Sequence, residues 1–455
     1  MRKIILRQPA IVESAAQHQH TAELRKVDEI LRSIPRIAEL IHEDLVRGLK
    51  DPATGRQGSL SADQVFRVLY IKQINGFSYE QLAFHLTDSK AYRSFCGIGF
   101  TDKPLASSVL QRDIKKIRPE TLEQINVLIL GKAKDAAIEK GRSVRIDCTV
   151  VETNIHHPTD SSVLNDCVRV LARIMEDAKE SFQVQFTFAD HSRRAKKRAL
   201  EILNAKSQEK RLRPYKDLLR VTSLTVAYAE EAIKAFQLAM PTSGVLVMAE
   251  GIAIADELAH YVELAKKVID QTERRVLNSE SVPATEKVVS IFEPHTDIIV
   301  KDRRDTLYGH KIVLTGGDSG LFTDLVVLDG NPADSTLAVD MVQRQEQIYG
   351  RVPLKAAFDG GFASKANLQQ IKELGSRDVT FRKKRGLCIA EMAKSTWVYK
   401  RLCDFRAGIE GMISFLKRCF GLRRCTWQGY ESFKSYAWAS VITANLLLMA
   451  RHMLA

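Results

Sequence analysis

"SVRIDCTVV", Ser143–Val151, is the stretch on which the fold turns. Its β-branched residues and near alternation predict a strand, and everything before it, to about residue 135, reads as helix. Asp147 sits inside this otherwise apolar run. An ionised carboxylate is expensive to bury unless it is paired or binds a metal, so the strand carries a residue that its packing alone does not explain.

On the N-terminal side, Leu24, Val27, Ile30 and Leu31, then Ile37, Leu40, Ile41 and Leu45, recur at spacings of three and four and predict two helices. A polar break, "KDPATGRQGS", precedes a helix capped by Ser61 and stopped at Asn75-Gly76. Ser78 with Gln81 forms a capping box for the next helix. "SSVLQRDIKKI" (107–117) gives one more, with Arg112, Lys115 and Lys116 on its polar side. Short helices joined by tight turns suit a helix-turn-helix unit, and this last helix is the candidate for groove contact.

From about Ser161 to Leu277 the pattern returns to helix. "HKIVLTGG" (310–317) and "FTDLVVLDG" (322–330) read as paired strands, "STLAVDMVQRQEQIYG" as a helix, and "LKAAFDGGF" as a strand ending in Gly-Gly. "SKANLQQIKELG" is a helix with Gly375 as its stop, "DVTFRKK" a strand, and the chain from about Ser395 is helical. This alternation argues for a mixed α/β sheet flanked by helices.

The net charge of +13 is concentrated. Arg193 to Arg220 holds eleven Lys or Arg against three acids, and Arg377 to Arg424 thirteen against four. Clustered positive charge of this kind is the footprint of a nucleic-acid binder. No apolar run approaches the about 20 residues that span a bilayer. The seven cysteines are scattered with no CxxC pair, which excludes a zinc ribbon and fits a reducing compartment. A cytoplasmic protein without a membrane segment is expected.

Asp359 ends the strand "KAAFD", and "RAGIEGMISFLKR" (406–418) adds a third acid. In that helix Ile409, Met412, Ile413 and Leu416 form an apolar face, while Arg406, Glu410 and Lys417 share a second face. A surface salt-bridge ladder is the simplest account of them. Asp147, Asp359 and Glu410 together, however, make an oxygen-only set that suits Mg²⁺ or Mn²⁺. Two such ions per site serve in-line phosphoryl displacement. Water as nucleophile would give a nick, and a 3′ hydroxyl would give a strand joining. Arg406 and Lys417 could clamp a phosphate beside the acid. Arg382, Lys383, Lys384 and Arg385 are further candidates for contacts with the DNA backbone. Trp397 could stack on a base flipped out at an opened end, and a place in the core is the more usual role for such a residue.

On these residues the chain resembles the DDE transposases of bacterial insertion sequences. The resemblance extends to "SYEQLAFHLTDSKAYRSFCG" (78–97), "VETNIHHPTDSSVL", "HTDIIVKDRRDTLYGHK" and "FDGGFASKANL", and covers most of 59–447. The nearest group is the ISNCY type. Arg406, Glu410 and Lys417 match a Tyr, Arg, Glu, Lys signature, with Cys403 where the pattern has Tyr and Tyr399 one turn earlier. The resemblance implies a ribonuclease H-like catalytic domain with Asp147 on its first strand, Asp359 after its fourth and Glu410 on a later helix. It also implies metal-dependent cleavage at terminal inverted repeats, strand transfer into target DNA, and a homodimer holding two ends. A silent DNA-binding descendant and a nuclease that never joins ends are the alternatives.

The expected organisation is an all-α DNA-binding domain over 1–135, a catalytic domain over 136–160 and 296–455, and a basic helical insertion over 161–295. Because 212 positions separate Asp147 from Asp359 and 51 separate Asp359 from Glu410, the insertion falls early, between the first two strands.

Overall fold

The computed structural model describes residues 3–5, 18–48, 60–99, 102–182, 184–239, 245–301, 305–382 and 386–455. The polar break at 50–59 and Lys383, Lys384 and Arg385 therefore fall wholly or largely outside the described residues. The chain divides into two compact units, Met1–Glu152 with Gly309–Ala455, and Thr153–Tyr308.

The first unit opens with α1 (Gln19–Arg32), α2 (Arg36–Val46), α3 (Ala62–Asn75), α4 (Tyr79–Asp88), α5 (Lys90–Phe95), α6 (Ser107–Ile114) and α7 (Pro119–Asp135), then enters β1 (Ser143–Glu152). The local signals act as expected. Ser61 with Gln64 and Ser78 with Gln81 form reciprocal capping boxes, satisfying amides that a helix start leaves open. Gly76 closes α3 at φ 65°, the left-handed conformation that favours glycine. The helix carrying Arg112 stops at Ile114, three residues before the expected end.

The second unit contains α8 (Asp160–Ser181), α9 (Ser192–Asn204), α10 (Gln208–Ala239) and α11 (Val245–Thr272), followed by β2 (Asp297–Lys301). These four helices follow β1 directly in the sequence. They share a core that includes Leu164, Leu171, Leu218, Val221, Leu258 and Val268. The unit's two chain crossings are tied together: Thr153 N donates to Tyr308 O (3.0 Å), and the Thr153 and Thr296 hydroxyls lie 2.9 Å apart. β2 is a strand that the sequence reading leaves out, and it pairs with β3 (Asp305–Gly316), whose first residues belong to this unit.

Back in the first unit, the rest of β3 is followed by β4 (Phe322–Val327), α12 (Ala338–Tyr349), β5 (Lys355–Phe358), α13 (Lys365–Glu373), β6 (Asp378–Phe381), α14 (Ile389–Met392), α15 (Thr396–Cys419) and α16 (Tyr430–Leu454). β3 runs antiparallel to β1 on one edge and to β4 on the other, while β5 and β6 run parallel to β1. Parallel strands need long crossovers, which α12 and α13 supply. One face of the sheet carries Val144, Ile146, Phe358 and Phe381 against α12 and α13.

α16 is buried along nearly its whole length, so it is apolar on every side. It packs on α1, α3 and α7 and draws the N-terminal helices into one core with the end of the chain. Gln73 Nε2 reaches Phe420 O at 2.7 Å in this core. Asn445, fully buried on α16, accepts from Phe322 N (2.8 Å) and donates to Phe322 O (2.7 Å) and to Asn126 Oδ1 (2.8 Å). It thereby fixes α16 to β4 and α7 at one point. Replacing Asn445 by Leu orphans buried backbone groups of Phe322 and the amide of Asn126, at about 1–3 kcal/mol per orphan. Urea unfolding of Asn445→Leu should show a loss of roughly 3 kcal/mol or more, whereas unchanged stability would remove this clamp from the account.

Candidate active site

The strand register brings the two aspartates together. Ile146 on β1 lies opposite Phe358 on β5 in a parallel pair, so the next residues, Asp147 in the middle of β1 and Asp359 just past the carboxyl end of β5, stand level where the pairing of the two strands stops. Neighbouring strands run about 4.8 Å apart. In open α/β sheets this carboxyl end is where sites form. Asp359 then leads into Gly360-Gly361, and the second glycine is required by a neighbour: a Cβ there would sit 2.4 Å from Asp334 Oδ2.

α15 supplies the rest. Tyr399, Leu402, Arg406, Ile409 and Leu416 form its buried stripe. Arg406, placed on a polar face by the sequence reading, therefore lies on the side turned to the sheet and is only 4% exposed. Its guanidinium meets all three acids: Nη2 is 2.7 Å from Asp147 Oδ2 and 3.3 Å from Asp359 Oδ1, and Nη1 is 2.8 Å from Glu410 Oε1. The i,i+4 pair with Glu410 expected from the sequence exists, but it is the outer leg of a buried cluster rather than a surface ladder. Arg406 Nε is also buried, without a hydrogen-bond partner among the described residues. Glu410 remains 59% exposed at the rim, where Arg382 Nη1 approaches it at 3.2 Å.

α15 is pinned in this orientation by Arg145. Two residues before Asp147 on a strand, it projects from the same face. It donates to Phe405 O (3.1 Å) and Gly317 O (3.2 Å) and lies over the Phe405 ring. A Cβ at Gly408 would run into the Arg145 guanidinium, so a larger residue there would displace that side chain from its contacts on α15.

Other candidates fall in different places. Lys417 donates to Val150 O at 2.9 Å, along β1 from the acids. Tyr399 is buried with its hydroxyl on Phe381 O (3.1 Å), so it serves the packing of α15 on β6, and Cys403 is half-buried one turn on. Arg112 is exposed beside Asp113 (3.4 Å), with Lys115 and Lys116 half-buried just past the end of α6, and nothing brings these three to the acids. Trp397 is 68% exposed near Arg401, which overturns its reading as a core residue: the first turn of α15 projects beyond the sheet that buries the following turns.

The sequence reading missed one acid. Asp334, on the loop after β4, hydrogen-bonds Cys148, pairs with Lys311 (2.6 Å) and raises the negative potential at Asp147. Only its packing against Gly361 and Cys148 reveals it, for no local pattern marks an acid in "GNPADST".

The Asp147 carboxyl is raised to about 6: burial, with smaller contributions from Asp359 and Asp334, pushes it up against the downward pull of Arg406 and the Cys148 amide. Among the described residues, no three carboxylate, imidazole or thiol groups already form a metal cage. A guanidinium stands between the acids instead. Chemically, the cluster is three carboxylates at a strand end, counterbalanced by a single buried cation.

The known proteins that this chain resembles bear on that arrangement. Residues 14–116 match a family described as a transposase domain (DUF772), and residues 300–446 match the transposase DDE domain. Together the two matches cover more than half of the chain. An uncharacterised protein, ORF8 in the nfe locus of Rhizobium meliloti, is 26% identical over 145 residues, which is 30% of this chain and 68% of that one. No solved structure matches.

The raised Asp147 value sets a pH dependence. Its folded value lies above the about 3.9 of an unfolded Asp, so the stability contributed by the protonated carboxyl is complete below that pH and is lost as pH rises through about 6. A shift of about two units corresponds to roughly 3 kcal/mol. Urea unfolding of wild type and Asp147→Asn in EDTA should show the wild type losing on the order of 2–3 kcal/mol relative to the variant between pH 4 and 7. A difference that stays flat with pH would contradict the buried, protonation-prone carboxyl.

Proposed function

The chain belongs to the DDE transposases of insertion sequences, an enzyme acting on DNA, and on that premise we propose that Asp147, Asp359 and Glu410 are its three catalytic acids. One observation carries the assignment: residues far apart in sequence converge on the single guanidinium of Arg406, two of them level on adjacent parallel strands, Asp147 within β1 and Asp359 just past β5. The match to the DDE domain spans 300–446 and so includes Asp359 and Glu410, while Asp147 joins them through the register of β1 on β5.

The catalytic sheet is read as ribonuclease H-like. Three antiparallel strands, β1, β3 and β4, continue into parallel β5 and β6, with the acids on the first strand, after the strand that neighbours it, and on a later helix. The helical insertion is carried between the first two strands of this arrangement.

The donor set fits a divalent cation of the Mg²⁺ or Mn²⁺ kind, two per site. It is all oxygen, it holds more negative charge than Arg406 balances, and its most buried member resists ionising without a further cation. Asp147, Asp359 and Glu410 would hold the ions, which when bound supply charge stabilisation to the attacking and leaving oxygens of a phosphodiester. The protein's own part is positional. β1 and β5 fix two carboxylates side by side, Arg145 holds α15 so that Glu410 faces them, and Arg406 keeps the like charges together in the free enzyme. Breaking a buried pair by removing one partner costs about 3–5 kcal/mol, so the guanidinium is also a structural element of the free enzyme.

Released from the acids, Arg406 has a charge and a fork geometry suited to a DNA phosphate. Arg382 at the rim and Lys417 along β1 extend that track, and Lys383, Lys384 and Arg385 continue it in sequence. Arg112, Lys115 and Lys116 are proposed to contact the terminal inverted repeat from the N-terminal helices, within the matched transposase domain. Cleavage at both repeats and strand transfer into a double-stranded target require two sites, which a homodimer supplies. No helix among the described residues is long and apolar enough to cross a membrane; the proposed site of action is the bacterial cytoplasm, at the nucleoid, where its DNA substrates lie.

Asp147→Asn, Asp359→Asn and Glu410→Gln should each lower Mg²⁺-dependent cleavage and strand transfer by roughly a thousand-fold or more. End binding by gel shift should survive in all three. Cleavage that persists in the three variants would sink the assignment.

A further inference from the structure

The insertion holds a feature that the three acids do not use. On α9, Arg194 and Arg198 turn toward α10 and both bind its Asp217. The Arg194 hydrogen bond leads in holding that carboxyl down to about 2. Arg198 also takes Glu201 at 2.7 Å, and Arg211 is bonded to Ala205 O. With Ala195 and Ile202 buried beneath them, these contacts seat α9 firmly against α10.

The opposite face of α9 is treated differently. Arg193, Lys196 and Lys197 are exposed, and Lys210 faces them from the start of α10. Among the described residues, none of these four has a side-chain ion pair. They line a shallow, open groove of about 750 Å³ with Leu200, Glu201, Asn204, Ala205 and Pro214. Its single acid, Glu201, is already occupied by Arg198. The sequence spends its acids on the arginines turned toward α10 and leaves the outward cations unbalanced. A solvated charge run gains i,i+4 acids for support; the acid at that spacing here, Glu201 four residues after Lys197, is bonded to Arg198 instead.

We propose that this groove binds the phosphate backbone of a DNA duplex, at a surface separate from the three acids and independent of base sequence. Three features select that occupant. Arg193 and Lys197 lie one helical turn apart, about 6 Å along the axis, a spacing at which successive side chains can meet successive phosphates of one strand. The cations come from two helices across a concavity, which grips a rod-like polyanion rather than a flat lipid surface. No aromatic side chain lines the groove, so it lacks the stacking platform by which single strands are held. The choice of DNA over other polyanions rests on the transposase reading. The role is to retain flanking or target DNA beyond the specific contacts at the repeat.

The test uses the full-length chain and a duplex of arbitrary sequence lacking the element's ends, with binding read by fluorescence anisotropy across a salt series. The triple variant Arg193→Gln, Lys196→Gln, Lys197→Gln should bind about ten-fold or more weakly near 0.1 M salt, and its slope of log affinity against log salt should fall by about 2–3. A control of equal charge loss, Lys26→Gln, Lys266→Gln, Lys267→Gln, removes cations already paired with Glu29, Glu230 and Glu263. It should keep the wild-type slope. Equal loss in the two triples would show that only net charge matters and would overturn the proposal. So would a groove variant that loses binding to vesicles containing phosphatidylserine but not to duplex. Asp147→Asn should bind this duplex as wild type does, so failure of the acid assignment and failure of the groove give different results.

Discussion

Everything in the catalytic half of this protein depends on one buried guanidinium holding three carboxylates together. Asp147, Asp359 and Glu410 would repel one another if they were gathered without a cation, and burial alone already pushes Asp147 toward its neutral form. Arg406 resolves that conflict from inside the fold, with bonds of 2.7–2.8 Å to Asp147 and Glu410 and a longer one of 3.3 Å to Asp359. The strands, the orientation of α15 and the Gly360-Gly361 turn are arranged around that contact. Because the arginine is tethered it cannot diffuse away, yet its Nε makes no hydrogen bond among the described residues, and the bridge to Asp359 is the weakest of the three. Such a cluster is strong enough to order the site and loose enough to give way to better cations.

Much of this was legible in the sequence, for identifiable reasons. β1 and β3 to β6 announced themselves through β-branched runs bounded by Gly, Asp and Asn, and the serine caps of α3 and α4 behaved as their spacing demanded. β2 escaped because five residues, "DIIVK", run straight into the charged "DRRD" and offer too short an apolar pattern. Asp147 and Asp359 could be picked out as acids out of place in apolar strands, and Glu410 as an acid on a helix in the most basic part of the chain. Their adjacency could not, since the register that sets Asp147 level with Asp359 is a tertiary fact.

Arg406 shows where periodicity stops informing. Spacing gives the angle between Arg406 and Glu410 around the axis but not which side of the helix turns to the sheet, so a surface ladder and a buried cluster look identical in sequence. Asp334 lies on a loop with no pattern at all. Trp397 errs in the other direction, an indole that composition assigns to a core and that the end of a helix leaves in solvent. Likewise, local patterning marks where helix gives way to strand near residue 135, whereas the sharing of a core by α1, α3, α7 and α16 is decided by contacts as distant in sequence as Gln73 and Phe420.

The central claim is that the acids around Arg406 form one cation site and that the guanidinium is its occupant in the free protein. Mn²⁺ soaked into crystals and located by its anomalous scattering tests this directly. The account predicts a peak in contact with the carboxylates of Asp147 and Asp359, with Arg406 withdrawn from Asp147. Peaks only elsewhere, with Arg406 still bridging all three acids at saturating Mn²⁺, would contradict it.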